Sequence, residues 1–353
     1  MESVAAPRFS GVPGWLRGPL PILLSLPILA LAQWATAQAP FLVYIASIVG
    51  VNVILAVSLN IVNGMTGQFS IGHAGFMAVG AYIAGKFSLE TKDVYLPFMQ
   101  SVAASDQLMF VFALLLGGAV AAVFGFLVGL PSLRLKGDYL AIVTLGFGEI
   151  IRVIVQNTEM FGRALGLSGI PQRSSIFMVM FWVFLTILAA RRIASSAHGR
   201  SLLAIREDEI AAEAMGVNTT AYKVRAFVIS AFFAGVAGGL FAHFVGIINP
   251  GSFTFVKSME IVVMIVAGGL GSTTGSIVAA VFLTLLPEAL RSIFTQLGGG
   301  DQTLAQRVDQ IRMPIYGMLL VALMLLRPQG LFGTKEIWDV APKWLSRRRK
   351  GMR

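Results

Sequence analysis

The chain has 353 residues, of which 56% are apolar and 12% are charged, and it has no Cys. Soluble domains carry about 25% charge. The low charge here, with a mean hydropathy of +0.79, excludes an ordinary water-soluble enzyme, and the absence of Cys excludes disulfides, thiolate metal sites and Cys nucleophiles. The net charge of +10 comes from 27 Lys and Arg against 17 Asp and Glu. In a soluble protein that would suggest nucleic acid; in a membrane protein it reads first as the Lys/Arg bias that fixes orientation.

A spanning helix takes about 20 mostly apolar residues. Ten such segments are predicted, with cores at 20–36, 41–62, 69–85, 108–130, 139–155, 176–190, 226–248, 258–270, 275–293 and 313–326. The predicted fold class is therefore all-α: a polytopic transmembrane helix bundle. Segments 69–85, 139–155 and 258–270 are short or rich in Gly and are expected to be broken or re-entrant. Residues 1–19 read as a cytoplasmic N-terminal segment, 20–326 as the transmembrane domain and 327–353 as a basic cytoplasmic tail. Arg8 and Arg17, the apolar run after them and Ala35-Thr36-Ala37 also resemble a signal peptide. The same stretch serves as a first span, and that reading is preferred. With the N-terminus inside, eighteen cations fall on pieces predicted to be cytoplasmic and eight on pieces predicted to be external. That ratio supports both termini inside.

Polar residues inside the spans come next in chain order. Gln68, Ser70 and His73 open the Gly-rich stretch 64–80, in the setting GQFS. Ser252 and Thr254 recur in a similar setting, GSFT, which suggests a faint internal repeat. Broken helices at corresponding places in two halves often border a substrate path; the alternative is helix-to-helix hydrogen bonding, with glycines for close packing. Glu149 and Arg152 lie at i, i+3 in one span and share a helix face. A lone charge at mid-bilayer costs about 2.5–3.5 kcal/mol, so the pair is either a structural match of charges or a polar lining that passes a zwitterion.

The longest hydrophilic stretch between spans is 191–225. Residues 201–215 are rich in helix formers and precede Gly216, where a helix can stop. Leu202, Ile205, Ile210 and Met215 are interleaved with Arg206, Glu207, Asp208, Glu209 and Glu213. Asn218-Thr219-Thr220 offers caps for the next helix. A mixed-charge helix held between two spans suits the docking of a soluble partner, whose push it would pass to the membrane. The alternative is a plain solvated loop.

Two motifs resemble catalytic ones. Residues 269–276 (GLGSTTGS) lack the Lys that a phosphate loop needs, so they read as a tight turn, and the chain is not expected to hydrolyse ATP by that route. Residues 166–169 (GLSG) match the GxSG of rhomboid proteases, with His243 as a conceivable partner of Ser168. Ser168 falls in an external loop, which argues against a protease. No catalytic or metal-binding residues are assigned. Glu260, and Glu288 with Arg291, sit near predicted outer span ends, either as contacts for a docked protein or as surface charges. The run 347–350 (RRRK) is expected against anionic membrane lipid rather than nucleic acid.

Six runs, in order, carry a resemblance. They are SLNIVNGMTGQFSIGHAGFMAVGAY at 58–82, LKGDYLAIVTLGFGEIIR at 135–152, AIREDEIAAEAMG at 204–216, GSFTF at 251–255, GGLGS at 268–272 and RPQGL at 327–331. Together they closely resemble the permease subunits of branched-chain amino-acid ABC importers, of the LivM type. The resemblance implies half of a channel in a bacterial inner membrane, paired with a homologous LivH-type permease. It also implies two ABC ATPase subunits and a periplasmic substrate-binding protein that delivers leucine, isoleucine, valine or a related compound. No cofactor is implied for the chain itself, since ATP is used by the partner subunits. The loop around EDEIAAEAMG looks like the ATPase-coupling loop, which assigns that role to Glu213, Ala214 and Gly216, with Arg206, Glu207, Asp208 and Glu209 just before. One departure is Phe161-Gly162-Arg163, where many relatives read Thr-Gly-Gly. The same family serves urea, short amides and aromatic acids. An ion-coupled secondary transporter is the competing class, but it needs titratable groups in the membrane core, and only Glu149 is an acid deep in a span.

Overall fold

The computed structural model describes residues 40–99, 103–132 and 138–297. The predicted spans 20–36 and 313–326, the N-terminal segment and the basic tail lie outside the described residues, isolated positions apart.

The described chain is almost wholly helical. Helix α1 (Pro40–Asn60) runs on into one π turn, Ile61–Met65. It is followed by α2 (His73–Met99), α3 (Ala103–Ser132), α4 (Asp138–Asn157) and α5 (Ile176–Ser195). Two short helices, α6 (Ala197–Glu207) and α7 (Glu209–Ala214), lead into α8 (Thr219–Val245), α9 (Phe255–Gly268) and α10 (Thr273–Leu297). Two-residue strands β1 (Leu167–Ser168) and β2 (Ile247–Ile248) pair antiparallel, Leu167 opposite Ile248. Among the described residues, six helical stretches are long and apolar enough to cross a membrane: Phe41–Met65, Asp106–Pro131, Tyr139–Asn157, Ile176–Ser195, Thr219–Val245 and Pro250–Gly268. The expected all-α polytopic bundle is therefore what this sequence forms.

Glycines decide which helices lie innermost. Helix α8 packs along both α2 and α3, and these two pack on each other. A Cβ on Gly80 of α2 would run into the backbone of Gly235 of α8, and a Cβ on Gly235 would meet Ala121 and the Gly117 carbonyl of α3. Apolar lipid gives spanning helices little hydrophobic reason to associate, so backbones must come close enough for dispersion to act. Helix α1 lies antiparallel to α8. Ser230 donates to the Ser58 carbonyl (2.7 Å) toward one end, and Tyr44 packs on Phe244 toward the other.

One of the three expected breaks falls in its segment: the chain leaves α-helix between Met65 and His73, at the start of segment 69–85. A second break, between Val245 and Phe255, lies just before segment 258–270, which is itself continuous α-helix as far as Gly268. Segment 139–155 is instead one unbroken helix. Its Gly148 meets the glycines at 72 and 75, so the small residue serves close approach rather than a break. Asn218 caps α8 as its sequence setting predicts, accepting from the Ala221 N–H (3.0 Å).

Candidate functional site

The loop 191–225 contains two helices, where the sequence predicts one over 201–215. Asp208 causes the break. It is extended (φ −155°, ψ 111°), and its carboxylate accepts from the Ile210 and Ala211 N–H groups at 2.9 and 3.0 Å. A short acidic side chain that caps a new helix competes with continuing the old one. Gly216 (φ +83°) then reverses the chain where a side chain would be strained, although nothing crowds its Cβ position.

The predicted coupling residues divide by direction. Glu209 is held by Lys223 of α8 (2.5 Å), and the Glu213 carboxylate accepts from the Thr219 hydroxyl (2.6 Å). These bonds pin α7 to the first turns of α8, and Lys223 itself is buried. Glu207, Ala214 and Gly216 face outward. So do two large apolar side chains, Ile210 at 74% and Met215 at 84% exposure.

Arg206 points the other way. Its Nη1 donates to the Gly64 carbonyl in the π turn (2.8 Å). Its guanidinium also lies against Gly271, in the turn between α9 and α10, so closely that a Cβ there would collide with it. That turn is tied in return to α1, the Gly271 N–H donating to Asn60 Oδ1 (2.9 Å). One side chain of the loop thus reaches the ends of three membrane helices. Gln68 lines the small polar groove beside it, together with Thr66, Arg206 and Lys223.

The two breaks are satisfied by side chains, as non-helical backbone at membrane depth requires. Asn63 forms a double bond with the Ser70 backbone, donating to its carbonyl (3.1 Å) and accepting from its N–H (3.2 Å). His73 is 1% exposed. Ser58 donates to the Leu55 carbonyl, which leaves its oxygen to accept from the His73 ring (2.9 Å). Ser70 and His73 therefore serve packing between helices and line none of the described cavities.

Helix α4 joins the two breaks. Thr144 accepts from the Ile71 N–H (3.1 Å), and Glu149 accepts from the Phe255 N–H (3.2 Å). Ile71 and Phe255 occupy corresponding places in the faint repeat. A direct bond also crosses between the halves, from the Ala74 N–H to Ser258 Oγ (3.0 Å), at a separation of 184 residues. GQFS and GSFT are offset by that same number. Because α1 and α8 are the corresponding helices and run antiparallel, the repeat is inverted. Glu149 also takes a bond from Arg152 Nε (2.7 Å), and Arg152 donates to Gln156 (3.3 Å). The half-buried pair thus positions the start of α9.

Beside that start lies a cleft of about 240 Å³. Its polar wall is Asn52, Ser252, Thr254, Lys257 and Glu260; its apolar wall includes Ile48, Val51, Met77, Phe241 and Val256. Lys257 Nζ donates to Asn52 Oδ1 (3.0 Å) and to Glu260 (3.2 Å), and Asn52 donates to Thr284 of α10 (2.9 Å). Of the predicted path residues, Ser252 and Thr254 border this cleft. Asn52, Lys257 and Glu260 were missed as a group. Glu260, expected at an outer span end, is 7% exposed within the bundle. The available signal was the i, i+3 spacing of Lys257 and Glu260, the same pattern that singles out Glu149 and Arg152.

The look-alike motifs resolve simply. Residues 269–272 form a tight turn, with the Ser272 N–H donating to the Gly269 carbonyl (3.1 Å). His243 is fully buried; its ring nitrogens bond the Gly239 carbonyl (2.8 Å) and Ser88 (2.7 Å), and Ser168 is the exposed residue of β1. No Ser168–His243 dyad forms. Arg163, in the divergent loop, takes a left-handed conformation (φ 53°), and its guanidinium pairs with Glu159.

A multi-pass helical bundle, built from an inverted repeat whose broken helices meet beside a charged cleft, has the construction of a membrane transport permease. Comparison with known proteins makes this particular. The chain belongs to the family described as branched-chain amino acid transport system / permease component, matched over residues 41–327. It is similar to the high-affinity branched-chain amino acid transport system permease protein LivM of Salmonella typhimurium, 36% identical over 344 residues, covering 88% of this chain and 74% of that protein. The LivM protein of Escherichia coli K12 is 34% identical over 368 residues, covering 94% and 79%. The LivH permease of the same strain is 28% identical over 187 residues, about half of each chain. No solved structure matches the chain.

Proposed function

We propose that the chain is one membrane half of an ATP-driven importer for branched-chain amino acids. It works in a bacterial inner membrane, with both termini in the cytoplasm. Similarity to both LivM and LivH proteins supports a homologous permease as the other half. Two ATPase subunits bind the importer from the cytoplasm, one of them docking on the loop helices α6 and α7, and a periplasmic binding protein hands over the solute on the side of the β1–β2 pair.

The observation that carries the reading is the placement of Ile210 and Met215. Both are largely exposed on a loop whose Arg206, Glu209 and Glu213 are held inward by bonds to α1 and α8. Apolar side chains held rigidly in water suit the core of a protein interface. The chain has no Cys, so Ile210→Cys and Met215→Cys each give a single thiol. In the importer assembled with its ATPases, both are expected to cross-link to an ATPase subunit with a short bismaleimide, whereas Leu165→Cys at the far end does not. Equal or absent cross-linking at all three sites contradicts the docking.

A further inference from the structure

The polar wall of the cleft beside α9 ties α1, α9 and α10 together through Lys257, Asn52 and Thr284, yet it leaves an open volume of about 240 Å³ that these bonds do not fill. We infer that it is a transient binding site for the solute, selective for a zwitterionic, apolar α-amino acid. The inference rests on the importer reading and names the recognition chemistry within it.

Three features point to that class of solute. First, the cleft presents both signs of charge about 3 Å apart, Lys257 and Glu260. An α-amino acid carries the complementary pair on neighbouring atoms, so its carboxylate meets Lys257 and its ammonium meets Glu260. An anion or a cation alone would leave one buried wall charge facing a like charge. Urea or a short amide would leave the Lys257–Glu260 pair closed and would give neither charge a new partner. Second, the opposite wall is aliphatic and aromatic, through Ile48, Val51, Met77 and Phe241, and would cover a branched side chain. Third, about 240 Å³ is below the roughly 300–1,000 Å³ of drug-sized pockets and suits a solute as small as an amino acid.

Location agrees with chemistry. The cleft adjoins the meeting of the two inverted halves, where the first turn of α2 bonds the first turn of α9. In transporters built this way, solute sites lie at the repeat interface and are formed by discontinuous helices. The Lys257 ammonium has three donors, and Asn52 and Glu260 take two of them. The pair thus waits in a bonded resting state that a zwitterion can enter by exchanging partners.

The test uses the complete importer in nanodiscs, with Ser252→Cys as the single thiol of this chain. Leucine at millimolar concentration is expected to slow maleimide labelling at least threefold. Isoamylamine, which lacks the carboxylate, and 4-methylpentanoate, which lacks the ammonium, are expected to leave the rate within 1.5-fold. Protection by all three compounds, or by none, overturns the inference. A second arm measures leucine uptake by proteoliposomes. Lys257→Met with Glu260→Met removes both charges together and is expected to lower uptake at least 20-fold while hydrolysis by the ATPases persists. The swapped pair Lys257→Glu with Glu260→Lys keeps an ion pair but reverses it against the apolar wall, and uptake is expected to stay low. Uptake within twofold of wild type in either variant overturns the site. If wild-type importer shows no ATP-dependent uptake, the importer reading fails instead.

Discussion

Replacing Arg206 with Ala is expected to cut ATP-dependent uptake at least tenfold, while the assembled importer goes on hydrolysing ATP. Arg206 sits on the loop proposed to dock the ATPases, yet its guanidinium bonds the Gly64 carbonyl and packs on Gly271. Gly64 lies in the π turn that ends α1, and Gly271 lies in the turn from α9 to α10. A push on α6 therefore reaches both sides of the cleft through one side chain. A hydrogen bond from a charged donor contributes about 1.5–3 kcal/mol. If that bond is what carries the loop's motion inward, its loss lowers coupling by roughly 10- to 150-fold. Docking should survive, because Ile210 and Met215 face away from it and Glu209 and Glu213 still hold α7 to α8. Arg206→Lys should recover little, since a point ammonium lacks the planar fork that meets two neighbours at once. The measurement is the ratio of leucine transported to ATP hydrolysed. If transport and hydrolysis fall together, Arg206 serves folding or docking and not coupling.

The second large effect is on folding. Gly80→Leu is expected to abolish accumulation of a monodisperse importer, and Gly235→Leu to do the same. Each glycine faces another helix's backbone, so the new side chain has no flexible neighbour to displace. Overpacking a core costs about 1–3 kcal/mol when side chains can move; separating two helix axes forfeits contact along α2, α3 and α8 together. Gly146→Leu is the control, because its Cβ position is open on α4. It should accumulate normally. Fluorescence-detected size exclusion of the three variants decides the matter. Normal profiles for Gly80→Leu and Gly235→Leu would show that the α2–α3–α8 contact is not what holds the bundle.

Span positions were largely legible because hydropathy reports them directly. The helical stretches Asp106–Pro131, Tyr139–Asn157 and Ile176–Ser195 lie close to where the apolar runs place them. What was not legible depends on partners distant in the chain. Asp208 reads as one more acidic residue in a helix, and only its bonds to the Ile210 and Ala211 N–H groups make it a cap. Glu149 reads as half of a local pair, yet it also holds the Phe255 backbone, 106 residues on. Lys257 and Glu260 read as an outer boundary, because a span edge cannot be placed more finely than a turn. Their burial follows from Asn52, 205 residues before Lys257. The inverted repeat was faint for a related reason. A four-residue stretch that shares its Gly and Phe is little signal, whereas the bond from the Ala74 N–H to Ser258 Oγ, at the same 184-residue offset, relates the two halves in space. Finally, Gln68, Ser70 and His73 are polar in a membrane segment, which allows either a path or a hydrogen-bonded packing site. Asn63 as the partner of Ser70, and Ser58 as the partner of His73, could be recognised only in the folded chain.

If ATP hydrolysis by the proposed partners drives this chain's helices, leucine uptake shows it in proteoliposomes that hold this chain, a LivH-type permease and the ATPases, with the binding protein outside. Uptake is expected to need enclosed ATP and the binding protein, to stop when the ATPases cannot hydrolyse, and to continue when an ionophore collapses the ion gradients. Uptake that survives without hydrolysis and disappears with the ionophore would contradict it.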